Sequence, residues 1–137
     1  MTRQFIRPFG LIAASALATA LAPSGALADS AGITFSEGGK FTAQTGEALY
    51  ASVCAACHMD KGQGAVGAGY YPALADNENL EAGGYPLYVM LHGLKGMPPV
   101  GQMMSDEQVA AVVNYVRTHF GNDYTDEVTA EDVASTR

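Results

Sequence analysis

The sequence predicts a small single-domain, all-α fold with three main helices joined by short turns. Apolar residues recur at helical spacing in three separate stretches, which begin near Gly46, Pro86 and Ser105. Glycines and prolines between the first two stretches are too dense for a periodic element. A chain of 137 residues is also short enough to form one domain.

Residues 1–28 have the organisation of a secretory signal peptide. Arg3 and Arg7 precede an apolar run of 14 residues, from Phe9 to Ala22, and Ala26-Leu27-Ala28 is an A-x-A cleavage site. The run is shorter than the about 20 residues that span a bilayer, so an uncleaved anchor is the less favoured alternative. We therefore expect cleavage after residue 28 and no stable membrane insertion afterwards.

The part of the chain after residue 28 is strongly acidic. It holds all 14 acidic residues but only five of the seven basic ones, so its formal charge is −9, against −7 for the whole chain. This charge argues against nucleic acid or anionic lipid as a partner and is compatible with a protein partner that has a basic docking face. The same part has few large apolar residues, which indicates that another group fills the middle of the fold.

The first predicted helix leads to the only two cysteines. Residues 29–41 are rich in serine and glycine and are expected to form a flexible leader; Thr42 or Thr45 is placed to cap the helix that follows. From Gly46 to Cys54, apolar positions recur with helical spacing: Leu49, Tyr50, Val53 and Cys54. The helix therefore carries the chain into Cys54-Ala55-Ala56-Cys57-His58.

This C-x-x-C-H run has three interpretations. A thioredoxin-like thiol pair requires a preceding strand, and nothing near residue 54 alternates like one. A structural zinc site requires four ligands. Besides the two cysteines and His58, the sequence offers only two further histidines, His92 and His119. A histidine directly after the second cysteine is instead typical of c-type haem attachment, in which both thiols add to haem vinyl groups and His58 reaches the iron. Haem would also supply the large apolar group that the composition calls for.

Residues 60–84 predict a long ordered loop, because six glycines and Pro72 leave no periodicity. Such a loop in a small domain normally has a functional reason, and wrapping around a haem edge is one.

The second predicted helix begins at Pro86 and ends in the Gly93/Gly96 region. Its apolar positions are Leu87, Met90, Leu91 and Leu94. The next segment, Gly96 to Gly101, contains two prolines, so it is expected to be extended or turning and to present Met97 from a fixed backbone.

The third predicted helix starts at a capping box, Ser105-Asp-Glu-Gln108, and stops at Gly121. Its apolar positions are Val109, Val112, Val113, Val116 and Phe120. Residues 122–137 form an acidic extension in which Thr129 can cap one short turn, and we expect this extension to be a solvated end.

Residues 42–121 resemble a class I cytochrome c of the bacterial periplasmic type, and resemble most closely the small cytochromes that accompany periplasmic dehydrogenases. The resemblance rests on four motifs in the same order: Gly46-x-x-x-Tyr50-x-x-x-Cys54-x-x-Cys57-His58, Tyr71-Pro72-Ala73-Leu74, Gly96-Met97-Pro98-Pro99, and Ser105-Asp-Glu-Gln followed by Val112-x-x-Tyr115. It implies one covalent haem c, a helix crossing at Gly46, Tyr50 and Tyr115, haem contacts from Pro72 and Leu74, and a Pro72 carbonyl that holds the His58 ring. It also implies a periplasmic location.

The resemblance implies that Met97 is the second iron ligand, 39 residues after His58. Met103 and Met104 are competing thioethers, and His92 or an open site are further alternatives. Ligation by His58 and Met97 would raise the reduction potential and leave no position for a reactant, which predicts a carrier and not an enzyme. Tyr70, Tyr71, Tyr85 and Tyr88 are candidate donors to the haem propionates.

The expected function is single-electron transfer between a periplasmic dehydrogenase, as donor, and an oxidase or another cytochrome, as acceptor. The alternatives are a permanent haem c subunit of such a dehydrogenase, a haem protein with an open sixth site, and a thiol oxidoreductase.

Overall fold

The structure is a computed structural model and describes residues 36–37 and 40–137. Most of this part of the chain consists of helices and the irregular connections that join them. Within these residues, five helices follow one another: α1 (Gly46–Leu49), α2 (Ala55–His58), α3 (Gly84–His92), α4 (Asp106–Thr118) and α5 (Ala130–Thr136). No helix among them is long and apolar enough to cross a membrane. The all-α prediction is confirmed. The predicted signal peptide, residues 1–28, and most of the predicted leader, 29–41, lie outside the described residues.

Two short antiparallel ribbons accompany the helices. β1 (Ser36–Glu37) pairs with β2 (Lys40–Phe41), and β3 (Ala65–Val66) pairs with β4 (Tyr70–Tyr71). Strands of two residues are too short to show a period in the sequence, so neither ribbon was predicted. The second ribbon lies within the long loop that was expected between residues 60 and 84.

The first helical stretch is longer than predicted and changes its pitch. The Thr45 hydroxyl accepts a hydrogen bond from the Ala48 amide, so Thr45 is the N-cap of α1. A π-helical turn, Tyr50–Cys54, then joins α1 to α2, and the Ala55 amide donates to the Tyr50 carbonyl across it. Single π turns within helices are frequent at functional sites. The stretch therefore continues from Gly46 to His58.

This stretch crosses α4 with almost no space between the two backbones. A Cβ atom at Gly46 would lie 2.3 Å from the Ala111 carbonyl oxygen and 2.6 Å from the Tyr115 Cβ. One turn later, the buried Tyr50 ring packs 5.7 Å from the Tyr115 ring, and its hydroxyl donates to the Met59 carbonyl at 2.6 Å. Only glycine permits this approach at position 46.

Helix α4 begins at the predicted capping box. The Ser105 hydroxyl accepts from the Gln108 amide, and the Gln108 side chain accepts from the Ser105 amide. The Gln108 Nε2 also donates to the carbonyls of Phe41 and Ala43, at 2.9 and 2.6 Å. The helix ends at Thr118, before Gly121, and four of the five predicted apolar positions are buried on it: Val109, Val112, Val113 and Val116. The fifth position was predicted wrongly, because Phe120 lies beyond the helix at φ +61° and packs against the core from there.

Helix α3 also follows its prediction. Pro86 lies in its first turn and Gly93, at φ +74°, terminates it. Leu87, Met90 and Leu91 are buried, whereas Leu94 lies beyond the helix and is 44 % exposed.

The acidic segment, residues 122–137, is packed against the domain, so the expectation of a solvated end is wrong. Val128 is 6 % exposed and Val133 is fully buried, and both belong to the main apolar core. The Asn114 side chain on α4 bonds both the amide and the carbonyl of Val128. Thr129 does cap α5, in a capping box with Asp132. The core of the domain thus extends past residue 121.

A buried arginine explains how this segment is held. The Arg117 side chain is fully buried on α4 and donates to the carbonyls of Leu80 and Glu81, at 2.9 and 2.7 Å. It also donates to the carbonyl of Asp126 and forms an ion pair of 2.6 Å with the Asp126 carboxylate. Buried charges require such partners, and most of these are main-chain atoms that carry no sequence signal.

Candidate functional site

A cavity of about 550 Å³ opens between the first helical stretch, the loop and α4. This volume is within the range of cofactor pockets. Five parts of the chain contribute to its lining, which is mostly apolar: the C-x-x-C-H run, residues 69–80, α3, residues 94–98 and α4. Val112, Val113 and Val116 of α4 face it, so the stripe predicted as core is in part the floor of this cavity.

Cys54 and Cys57 line the cavity together. Cys54 is partly buried and Cys57 is exposed. Burial, and then the neighbouring Cys57 thiol, raise the pKa of Cys54 to about 12. Thiol oxidoreductases need a nucleophile whose pKa is lowered, so this environment does not favour the thioredoxin-like alternative.

His58, at the end of α2, lines the same cavity and is only 8 % exposed. Its Nδ1 lies 2.9 Å from the Pro72 carbonyl oxygen. Because a carbonyl can only accept, Nδ1 carries the proton and donates it, which leaves the Nε2 lone pair free to bind a metal. The hydrogen bond also fixes the ring orientation and makes the imidazole a stronger ligand.

The loop that carries Pro72 is tied closely to the C-x-x-C-H run. The Gly64 amide donates to the His58 carbonyl at 3.0 Å, and the Gly62 carbonyl accepts from the amides of Leu74 and Ala75. Gly64 has φ +67°, and a Cβ there would lie 2.4 Å from the Tyr71 carbonyl oxygen. The glycines of the loop therefore place Pro72 over His58, and Leu74 lines the cavity beside it.

Met97 reaches the cavity from a tight turn after α3. The Leu94 amide donates to the Met97 carbonyl at 3.0 Å, and the Met97 amide donates to the Leu94 carbonyl at 2.9 Å. Met97 lines the cavity and packs against the core. The structure thus brings His58 and Met97 to one cavity from elements far apart in the sequence.

The other candidate ligands lie elsewhere. Met104 is 5 % exposed in the apolar core and Met103 is 42 % exposed, and neither lines the described cavity. His92 stacks on Tyr88, with ring centres 4.3 Å apart, and lies outside this cavity as well. His119 stacks on Tyr115 in the same manner.

Polar groups mark one part of the cavity. Of the four candidate tyrosines, Tyr70, Tyr71 and Tyr85 line it, whereas Tyr88 does not. Asn77 and Asn79 also line it and were missed by the sequence reasoning. The Asn77 side chain accepts from the Asn79 amide and donates to the Ala73 carbonyl. Two asparagines closely spaced in a glycine-rich loop would have been the signal.

These residues fit a haem. The cavity offers a mostly apolar lining for the macrocycle, two thiols for its vinyl groups and an imidazole with a free Nε2. The cavity also offers a thioether that can bind the iron, and several groups that can donate hydrogen bonds to the haem.

Comparison with known proteins agrees with this fit. Residues 41–116 match the family described as "Cytochrome C oxidase, cbb3-type, subunit III". Cytochrome c-552 of Thermus thermophilus is 39% identical over 101 residues, which cover 62% of this chain and 67% of that protein. The gluconate 2-dehydrogenase cytochrome c subunit of Pantoea cypripedii is 36% identical over 112 residues, which cover 69% of this chain and 24% of that subunit.

The fructose dehydrogenase cytochrome subunit of Gluconobacter japonicus is 37% identical over 92 residues, 56% of this chain and 19% of that subunit. The chain thus spans about a quarter or a fifth of the length of the two dehydrogenase subunits that it matches. The match covers the helices and loops that build the cavity. The chain therefore belongs to the cytochrome c family matched over residues 41–116, and its cofactor is covalently bound haem c.

Proposed function

We propose that this chain passes single electrons in the periplasm through one haem, attached at Cys54 and Cys57, whose iron is held by His58 and Met97. The observation that carries the proposal is that all four side chains line one cavity, with the Nε2 of His58 free. When bound, haem supplies an iron that exchanges one electron.

The residues around the cavity favour a carrier over an enzyme. With an imidazole and a thioether on the iron, no coordination position remains for oxygen, peroxide or a substrate. The Pro72 carbonyl and the Leu94–Met97 turn hold the two ligands in fixed backbone frames, so oxidation and reduction require little movement of the protein. The mostly apolar lining keeps water from the reacting centre.

We propose a periplasmic dehydrogenase as the donor and an oxidase or another cytochrome as the acceptor. Two of the relatives are, by name, cytochrome subunits of gluconate and fructose dehydrogenases. The formal charge of −9 after residue 28 favours a partner with a basic docking face.

A permanent subunit of a dehydrogenase is the second candidate, and one observation favours it. Val66 and Tyr70, paired across the β3–β4 ribbon, are 84 % and 74 % exposed, and Tyr70 also lines the cavity. Exposed apolar groups of this kind mark association surfaces. Co-purification of a catalytic subunit with the native protein would support this candidate, and a monomer throughout purification would support the free carrier.

The ligand proposal is tested by Met97→Ala, with Met103→Ala as the matched control. Met103 is another methionine, six residues after Met97 in the sequence. Its side chain is exposed and lies outside the cavity. We expect the weak far-red sulfur-to-iron absorption band of the oxidised protein to vanish in Met97→Ala and to persist in Met103→Ala. A band that survives Met97→Ala would contradict the proposal and return the ligand to another methionine, such as Met104.

Two further measurements separate the alternative functions. Carbon monoxide should bind the reduced Met97→Ala protein readily and the unaltered protein poorly at neutral pH. Ready binding by the unaltered protein would indicate an open site. Thiol alkylation should fail on the mature protein, because both cysteines are expected to be thioethers; labelled Cys54 or Cys57 would revive the thiol-pair alternative.

A further inference from the structure

We propose that Arg137 is a positioning residue for Met97, and that the acidic segment, residues 122–137, acts as a strap which keeps the Met97 turn against the cavity. This inference rests on the proposed ligation by Met97. It concerns a part of the chain that lies outside the matched residues, 41–116.

Arg137 contacts the segment that directly follows the Met97 turn. Its Nη2 donates to the carbonyl oxygens of Met104 and Gly101, at 2.8 and 3.3 Å. Its Nε donates to the Asp106 carboxylate at 2.6 Å, in the first turn of α4. The Arg137 and Asp106 side chains are 29 % and 32 % exposed, so the charge-assisted bonds are partly shielded from solvent.

The Met97 turn and the Arg137 contacts are joined by a short, stiff connection. Pro98 and Pro99 have fixed φ angles, so only their ψ angles can absorb a shift of the residues that follow them. The Val100 amide donates to the Pro98 carbonyl, and the Gln102 amide donates to the Pro99 carbonyl. A displacement at residues 101–104 is therefore passed back to Met97.

A second attachment holds the other side of this connection. The Gln102 Nε2 donates to the Leu91 carbonyl of α3 at 2.9 Å. Arg137 and Gln102 thus hold the turn Val100–Met103 from α5 and from α3. Without Arg137, the Gln102 bond to α3 is the side-chain hydrogen bond that still holds this turn.

The acidic segment is itself firmly anchored, so it can hold the turn Val100–Met103 in place. Val133 of α5 is fully buried, and the Arg137 amide donates to the Val133 carbonyl at 3.1 Å. At its other end, Asp126 pairs with the buried Arg117. Arg117 in turn bonds the carbonyl of Leu80, a residue that lines the cavity. The segment is therefore held by Arg117 through Asp126 near its start, and by Arg137 through Asp106 at its end.

The test compares Arg137→Ala, Arg137→Lys and Lys40→Ala in the holoprotein. Lys40 is exposed and lies on β2, so its replacement removes one positive charge without touching the Met97 segment. Imidazole added to the oxidised protein competes with Met97 for the iron. We expect it to bind Arg137→Ala about fivefold to tenfold more tightly, which corresponds to about 1 to 1.4 kcal/mol. Arg137→Lys should recover part of the difference, and Lys40→Ala should match the unaltered protein.

Amide exchange supplies a readout that does not depend on the iron. In Arg137→Ala, the amides of Met97 and Met104 should exchange faster, while that of Val112 in α4 should not. Unchanged exchange at Met97, or equal acceleration at Val112, would overturn the positioning role. So would imidazole binding equal to that of Lys40→Ala.

The same experiment separates this proposal from the ligand proposal. If the unaltered protein lacks the far-red band, the assignment of Met97 as ligand fails. Faster exchange at Met97 in Arg137→Ala would then still support the strap on the turn, and unchanged exchange would overturn it.

Discussion

Replacing Gly46 with alanine tests the helix crossing on which the site is built. The new Cβ would lie 2.3 Å from the Ala111 carbonyl oxygen, whereas ordinary van der Waals contact begins near 3.4 Å. The helices would therefore separate by about 1 Å, and a gap of that size removes up to about half of the dispersion energy of neighbouring contacts. Overpacking of this kind costs about 1–3 kcal/mol. The better helix propensity of alanine offsets less than about 1 kcal/mol at the first residue of a helix.

We expect Gly46→Ala to lose about 2 kcal/mol of unfolding free energy, which lowers Tm by about 8–16 °C for a domain of this size. The matched control is Gly84→Ala, at the first residue of α3, where a Cβ meets nothing within 4 Å. That variant should gain about 0.5 kcal/mol. Denaturant unfolding of the holoproteins, followed by far-UV circular dichroism, measures both. Equal stability of the two variants would refute the argument that the crossing requires glycine.

Three further predictions concern the part of the fold outside the cavity. Val133→Ala should cost about 2 kcal/mol, because it removes two fully buried methyl groups, whereas Val66→Ala, at an 84 % exposed side chain, should change stability by less than about 0.5 kcal/mol. Gln108→Glu should cost about 2 kcal/mol, more than the about 1 kcal/mol of Ser105→Ala, because only the first removes the donors to two partly buried carbonyls. The hydrogen bonds from Thr129 hold the pKa of Asp132 below its ordinary value. The contribution of the ionised Asp132 to the free energy of unfolding is therefore present above about pH 3.9, and it is lost as the pH falls through the lower pKa of the folded state.

Chemical denaturation measures the first two, and the third needs unfolding curves between about pH 2 and 5. Equal losses in Val133→Ala and Val66→Ala would show that α5 does not contribute to the core. A Gln108→Glu protein as stable as Ser105→Ala would mean that the hydrogen bonds to the carbonyls of Phe41 and Ala43 do not contribute to stability. For Asp132, the Asp132→Asn variant should have a flatter acid dependence, and an unchanged slope would contradict the assignment.

The sequence predicted those elements whose signals are local. The capping box at Ser105 and the valine stripe define α4 without tertiary information, and the C-x-x-C-H run identifies the attachment site by its chemistry. Helix α3 was found because Pro86 and Gly93 mark its two ends. Each of these elements was predicted from residues that are close together in the sequence, separated by no more than the length of one helix.

The features that were missed depend on contacts across the fold. The acidic segment looked solvated because Val128 and Val133 are its only branched aliphatic residues among many charges, yet both are buried. The partners of Arg117 are largely main-chain carbonyls, which every residue possesses. The π turn before Cys54 is a change in hydrogen-bond register, and apolar spacing cannot distinguish it from an α-helix.

The cavity has a consequence for how the protein is made. Its walls come from five separate parts of the chain, and haem supplies the atoms that hold them apart. Without haem, its mostly apolar walls would be exposed to water, which removes part of the hydrophobic stabilisation of the domain. Small domains have about 5–15 kcal/mol of stability in total.

We therefore expect a chain that has not yet received haem to be less stably folded, and a Cys54→Ala, Cys57→Ala double variant that binds no haem should show a weaker far-UV helical signal. Both thiols would then be reached as parts of a flexible polypeptide, including Cys54, which is partly buried in the folded domain. If the double variant proves to be unfolded, attachment of haem precedes folding, and the covalent step sets when the native protein first exists.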